Sequence, residues 1–269
     1  MQQRLSHLER ITDTWKRELA EWALPTLSND GTASSPFRLD PTRFTPAPAT
    51  NDDRRVQLIT EIVRGHSRRG EPMTLLDVGA GAGSSLGGVH ELFDHVHAIE
   101  VNDQMVQGLR TSLESLRSIE TFTIYSGVFP EDCPALGPVN VVNASNVVYN
   151  VGEILPFLHR LDSLASTLVV IELTLHHPFY PSNEAFEYFH ALSRPNHPSA
   201  TDLYQIALEL GFPAHLESYP PTYRRTTATI DGMMTRLALP ESRRSELENF
   251  LLATPPPPNP SLLLWWSKG

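Results

Sequence analysis

The stretch Thr74-Leu75-Leu76-Asp77-Val78-Gly79-Ala80-Gly81-Ala82-Gly83 constrains the fold more than any other part of this 269-residue chain. An apolar run with an acid near its end, followed by glycine at every second position, describes a buried strand entering a tight turn. Such a turn lets a ligand lie against bare backbone. About twenty residues on, His95-Val96-His97-Ala98-Ile99-Glu100 reads as a second strand that ends in another acid. That acid stands where a pair of ribose hydroxyls needs an acceptor. Together these elements have the layout of a nucleoside-binding α/β domain.

Two kinds of ligand use such a loop. In the dinucleotide fingerprint G-x-G-x-x-G, the third glycine allows close helix–strand packing and the helix N-terminus faces a pyrophosphate. Gly79 and Gly81 fit that pattern, but the third slot holds Ser84 and the extra glycine comes one place early, at Gly83. The D-x-G-x-G-x-G form, with Asp77, Gly79, Gly81, Gly83 and Glu100, resembles motif I of the class I S-adenosylmethionine-dependent methyltransferases. The resemblance covers about residues 55 to 267. It implies S-adenosylmethionine as cofactor, with the backbone of Gly79, Ala80, Gly81 and Gly83 against its methionine and ribose parts. Glu100, with Val101 beside it, would accept from the ribose hydroxyls. In this family the turn after the third strand commonly meets the adenine; Gly127 and Val128 match that position, although the acid often found there is missing. Asn143 would face the methionine end.

The rest of the chain reads as an alternation of strands and helices around a mostly parallel sheet. Leu5, Leu8, Ile11, Trp15, Leu19 and Trp22 mark an N-terminal helix that Pro25 stops, and residues 26 to 50 read as a loop. Val56, Ile59, Ile62 and Val63 predict a second helix, and Leu86, Val89, Leu92 and Phe93 a helix directly after the glycine loop. Further strands are expected near residues 121–125, 139–143, 167–174 and 215–223, with a last one over 261–266. By resemblance this is a Rossmann-like class I methyltransferase fold: a seven-stranded sheet with helices on both faces, its last strand antiparallel beside the fifth. Residues 1–54 form an N-terminal helix and loop, a candidate cap. Residues 55–269 form the main domain, with insertions at about 176–200 and 228–258 that would help to cover a substrate.

Ligands of open α/β sheets bind outside the carboxyl ends of the strands. Methyl transfer is an in-line displacement that needs positioning, exclusion of water and, where the acceptor bears a proton, its removal. Tyr149 and His176 are the catalytic candidates, and Asn146, Asn150, His177 and Tyr180 the substrate-binding ones. A histidine titrates close enough to neutrality to serve as a base. Against these stand plainer readings: Tyr149 as a packing residue with a tethered hydroxyl, and His176-His177 as an ordinary loop. The stretches Val147–Val151 and Val170–Pro178 resemble a group of bacterial methyltransferases whose substrates are mostly unassigned.

No Asn/Asp-Pro-Pro-Tyr motif follows the fourth strand, and Cys133-Pro134 reverses the order of the cytosine-C5 nucleophile motif. A single cysteine excludes an internal disulfide framework and a cysteine-based metal site, and no H-E-x-x-H is present, so no metal is expected. The formal charge of −10, with Arg and Lys gathered only in isolated pairs, favours a small-molecule substrate over nucleic acid. No window is apolar enough to span a membrane and the N-terminus lacks a signal-peptide core, so a cytoplasmic protein is expected. Two other functions remain open on sequence: an NAD(P)-binding oxidoreductase, and a non-catalytic cofactor-binding partner or regulator. Methylation of nucleic acid or protein is an open variant. The acceptor and the oligomeric state are not encoded in any motif.

Overall fold

The computed structural model describes residues 6–22, 41–46, 53–66, 71–219 and 230–268. Seven strands form one sheet: β1 Thr74–Val78, β2 His95–Glu100, β3 Thr121–Ser126, β4 Val139–Ser145, β5 Ala165–Thr174, β6 His215–Tyr219 and β7 Ser261–Ser267. Their spatial order is β3-β2-β1-β4-β5-β7-β6. The pairs among the first five strands are parallel, and β7 alone is reversed, lying antiparallel to both β5 and β6. This is the expected seven-stranded sheet with its last strand beside the fifth.

The middle of the sheet is buried on both sides. Leu75, Leu76, Val78, Val141, Val142, Ala144 and the run Leu168–Ile171 are at most 1% exposed, which explains why these strands read as continuous apolar runs. The helices are α1 His7–Trp22, α2 Arg54–His66, α3 Asp103–Ser115, α4 Ile154–Leu164, α5 Asn183–His190, α6 Ala200–Glu209, α7 Ile230–Arg236 and α8 Arg244–Ala253. Residues of α1, α4 and α6 complete the core on one face, and those of α2 and α3 the core on the other. Phe186, Phe189, Met233, Met234, Leu237 and Leu247, from α5, α7 and α8, make a third and separate apolar cluster. The two predicted insertions therefore pack on each other.

The expected helix after the glycine loop does not form. Two three-residue 3₁₀ turns, Ser84–Leu86 and His90–Leu92, stand in its place. Gly87 and Gly88 lie between them, and Gly88 has a φ of 76°, which a continuous helix cannot contain. Leu86, Val89 and Phe93 are buried all the same, so the apolar spacing was read correctly and its period was not. β6 is described only to Tyr219, and the expected residues 220–223 lie outside the described residues, as do 26–40 and 47–50 of the predicted loop.

Candidate active site

The glycine turn folds over the end of β2. The Gly79 and Ala80 amides donate to the Ile99 carbonyl at 2.9 and 3.2 Å, and Gly79, Gly81 and Gly83 all have left-handed φ values of 65°, 56° and 95°. Their missing side chains serve different ends. A Cβ on Gly79 would sit 2.5 Å from Val147 Cγ2, and one on Gly83 would sit 3.2 Å from Leu109 Cδ1 of α3. On Gly81 the nearest atom would be Phe44 Cβ, at an ordinary 3.9 Å. Gly79 and Gly83 thus admit neighbouring parts of the protein, whereas Gly81 lies at ordinary contact distance from Phe44. The 3₁₀ turn Pro41–Phe44 lies over this point and against α3.

Glu100 meets the turn directly. Its Oε2 accepts from the Gly81 amide and its Oε1 from the Asn102 amide, each at 2.8 Å, and the residue is 8% exposed. A carboxylate oxygen has two lone pairs, so each retains capacity for a second donor. Asn102 in turn caps α3, accepting from the amides of Gln104 and Met105. Val101 is 56% exposed at the same bend.

Asp77 plays a different part from Glu100. It is buried, accepting from Asn143 Nδ2 at 2.7 Å and from the Ser85 hydroxyl. Burial pushes its pKa up, opposed by those two hydrogen bonds and by the nearby Arg55 guanidinium. Asp77 therefore ties the turn to β4 and to the residues after the turn. β4 continues two residues past Asn143, and the Asn143 amide is held on Asp77.

Arg55 of α2 went unnoticed in the sequence because a basic pair at a helix start reads as surface. It is 4% exposed, with Nε 3.5 Å from Glu172 Oε2 and Nη2 donating to the Gly87 carbonyl at 3.5 Å. Its Nη1 is buried and, among the described residues, has no hydrogen-bond partner. Tyr219 donates to the same Glu172, and burial together with that carboxylate pushes its phenol pKa up.

At the turn after β3, the Gly127 amide donates to the Glu100 carbonyl at 3.1 Å, and Val128 is 49% exposed. No acid stands at that turn in the sequence, but Asp132 folds back to it. Asp132 Oδ2 accepts from the Val128 amide at 2.8 Å, and its Cβ fills the space beside Gly127.

At the ends of β4 and β5, Asn146 has a φ of 58° and its amide donates to the Glu172 carbonyl at 2.7 Å. The chain then enters the 3₁₀ turn Val148–Asn150, on which Asn150 is exposed. The Tyr149 hydroxyl is tethered: it lies 2.7 Å from Thr174 Oγ1 and also accepts from the Thr174 amide. His176 Nδ1 is 2.9 Å from the Asn196 carbonyl, and its ring lies 4.2 Å from that of Tyr180. A carbonyl can only accept, so Nδ1 carries the proton and Nε2 is the basic nitrogen. Asn259 holds this loop, accepting from the His176 amide at 2.9 Å and donating to the His176 and His177 carbonyls. His177 is buried and stacked on Trp22, with ring centroids 4.2 Å apart, and meets Tyr149 edge-on at 5.4 Å. Burial first, then Arg194 and Arg236, lower its pKa to about 3.

Asp77, the three glycines, Glu100 and Asn143 thus share one locus at the carboxyl ends of β1, β2 and β4. Tyr149 and His177 share a second, and His176 and Tyr180 a third beside it.

A sheet of this order, with parallel strands on either side of a β1/β4 switch point, defines an open α/β protein whose ligands sit at the carboxyl ends. The particular variant, with β7 reversed between β5 and β6, is the fold of the class I methyltransferases. Magnesium protoporphyrin IX methyltransferase from Synechocystis PCC 6803 with bound SAH is 13% identical over 98% of this chain and 100% of that one, with a TM-score of 0.51. A protein designated as a methyltransferase from Bacillus halodurans is 12% identical over 78% of this chain and 98% of that one, at a TM-score of 0.52. One from Galdieria sulphuraria, designated a sarcosine dimethylglycine methyltransferase, is 10% identical over 79% and 82%, at 0.53. At these identities the likeness establishes the fold alone. No family model and no curated protein matches the sequence. Among the described residues, no helix is long and apolar enough to cross a membrane.

Proposed function

We propose that this protein transfers a methyl group from S-adenosylmethionine to an oxygen or nitrogen of a small molecule. The observation that carries this reading is the Glu100 carboxylate at the end of β2, fixed on the Gly81 and Asn102 amides with acceptor capacity left on both oxygens. The donor set suits such a cofactor. Glu100 would accept from the ribose hydroxyls, Asp132 with the Gly127–Val128 backbone would meet the adenine, and the unpartnered Nη1 of Arg55 would face the methionine carboxylate. When bound, S-adenosylmethionine would supply an electrophilic sulfonium methyl and a neutral thioether leaving group, and an acceptor that bears a proton would have to give it up.

The chain's own residues position the acceptor and take that proton. Tyr149 is tethered to Thr174 and His177 is held neutral with little basicity, so neither makes an effective base. His176 Nε2 is the candidate acceptor of the proton. The Pro41–Phe44 turn covers Gly81, and the formal charge of −10 suits a small molecule better than nucleic acid.

A dinucleotide would need a helix N-terminus facing its pyrophosphate. Only a three-residue 3₁₀ turn follows Gly83, and the antiparallel β7 departs from the order 3-2-1-4-5-6 of that fold. Calorimetric titration with S-adenosylhomocysteine tests the reading. One-to-one binding is expected, lost when Glu100 becomes alanine. No binding to the wild-type protein, or binding of NAD in its place, overturns it.

A further inference from the structure

The insertion after β5 holds a cation with no ion-pair partner among the described residues. Arg194 Nε and Nη1 are buried and, among the described residues, have no hydrogen-bond partner. The guanidinium lies 3.6 Å from the centroid of the Phe186 ring and 5.5 Å from that of Trp22. A second cation stands close: Arg236 of α7 lies 4.6 Å over the Phe179 ring and donates to the Ser182 hydroxyl at 2.9 Å. Among the described residues, no carboxylate forms an ion pair with Arg194, and burial together with Arg236 lowers its pKa to about 10.

This arrangement is unfavourable as it stands. Contact with an aromatic face offsets only part of the cost of burying a cation. A buried donor left unpaired is costly, and more so on a charged group. A half-buried arginine that is flanked by rings, with two of its nitrogens enclosed and unpaired among the described residues, has the form of a binding group awaiting an anion.

The position connects it to the methyl-transfer site. Trp22 stacks on His177, His177 meets Tyr149 edge-on, and Tyr149 is fastened to the last residue of β5. Two residues before Tyr149, Val147 lies against Gly79 of the glycine turn. The aromatic wall thus runs from the turn to the guanidinium without leaving the carboxyl edge of the sheet.

We propose that the methyl acceptor is a small organic acid, anchored by its carboxylate on Arg194 with Arg236 alongside, its apolar body against Trp22 and Phe179. A planar fork of donors matches a carboxylate. The rings beside it match an apolar body and offer a larger, more hydrated anion such as a phosphate no further donors. His177, held neutral, adds no charge to compete. The proposal rests on the methyl-transfer reading for what happens to the acid, although not for its binding.

The experiment uses the whole wild-type chain and a panel of monocarboxylates, from acetate to 4-phenylbutyrate, each paired with its amide. Binding is read by tryptophan fluorescence and calorimetry, with and without S-adenosylhomocysteine. The larger acids should bind saturably, and their amides about tenfold more weakly or worse. Arg194→Met should erase the difference between acid and amide while changing S-adenosylhomocysteine affinity less than about twofold, and Arg194→Lys should restore part of it. If Arg194 only pins α5 to Trp22, its loss lowers the melting temperature and leaves the preference for acid unchanged; that result overturns the proposal. So does equal binding of acid and amide, binding of neither, or tighter binding of phenyl phosphate than of a carboxylate of matched size. Should Arg194→Met fail to fold, the acid–amide pair on the wild-type protein decides alone. S-adenosylhomocysteine bound without the acid overturns this inference and leaves the methyl-transfer reading; the acid bound without S-adenosylhomocysteine overturns that reading and the acid's role as acceptor, and leaves the carboxylate site on Arg194.

Discussion

Two carboxylates that stand side by side in the sequence pattern have unlike fates in the folded chain. Asp77 is closed inside the protein and holds Asn143 and Ser85, whereas Glu100 faces the turn and accepts from two amides. Glu100→Ala leaves the Gly81 and Asn102 amides without their acceptor, so a modest loss of stability should accompany a fall in S-adenosylhomocysteine affinity of about tenfold or more; calorimetry on the variant reads the affinity. Asp77→Ala should behave in the opposite way. It strands the buried Asn143 amide, and urea denaturation should show a loss of about 1–3 kcal/mol. His177 sets a pH dependence. The unfolded chain takes up a proton near the ordinary histidine value of 6.5, and the folded chain not until about 3. Its contribution is therefore intact above about pH 6.5 and is lost as the pH falls toward 3. His177→Phe keeps a ring on Trp22 and removes this titration. The stability lost between about pH 7.5 and about pH 5.5 should shrink by on the order of 1 kcal/mol, measured from urea midpoints.

At the scale of elements, the glycine turn and the β4 loop are fitted to each other. Gly79→Ala would drive a methyl into Val147 and hold alanine at a φ of 65°. A loss of about 2–4 kcal/mol is expected from strain and clash together. Adding Val147→Ala should return only the part due to the clash, which thermal melts of the single and double variants would separate. The turn itself and both strands around it were legible in the sequence, because a D-x-G-x-G-x-G turn admits few backbones and continuous apolar runs of this length fit little else; the place of the last strand followed only from the family resemblance. The segment after the turn was not. Leu86, Val89, Leu92 and Phe93 have a spacing that suits a helix, and the paired Gly87 and Gly88 that break it carry no apolar signal at all. Asp132 and Arg55 escaped for a related reason. Their roles depend on a chain folding back and on a helix start turning inward, and neither leaves a mark in local spacing.

For the whole molecule, the separate apolar cluster of α5, α7 and α8 predicts a boundary of stability. Leu247 is fully buried there. Leu247→Ala should destabilise that cluster by about 2–4 kcal/mol. Hydrogen exchange should then quicken across residues 183–190 and 230–253 while β1, β4 and β5 keep their protection; equal quickening in the sheet would show that the cluster is not a unit of its own.

The reversed β7 has a consequence for how the molecule assembles. β5 and β6 precede it in the chain, yet neither touches the other in the sheet, and β7 is the strand that joins them. A chain emerging from the ribosome can therefore build β1 to β5 early, but it must hold β6 in reserve until residues 261–267 arrive. During that interval the long apolar flank of β5 is an open template for a stray strand. Nascent or clipped chains ending before Ser261 should accordingly aggregate as pairs at that flank.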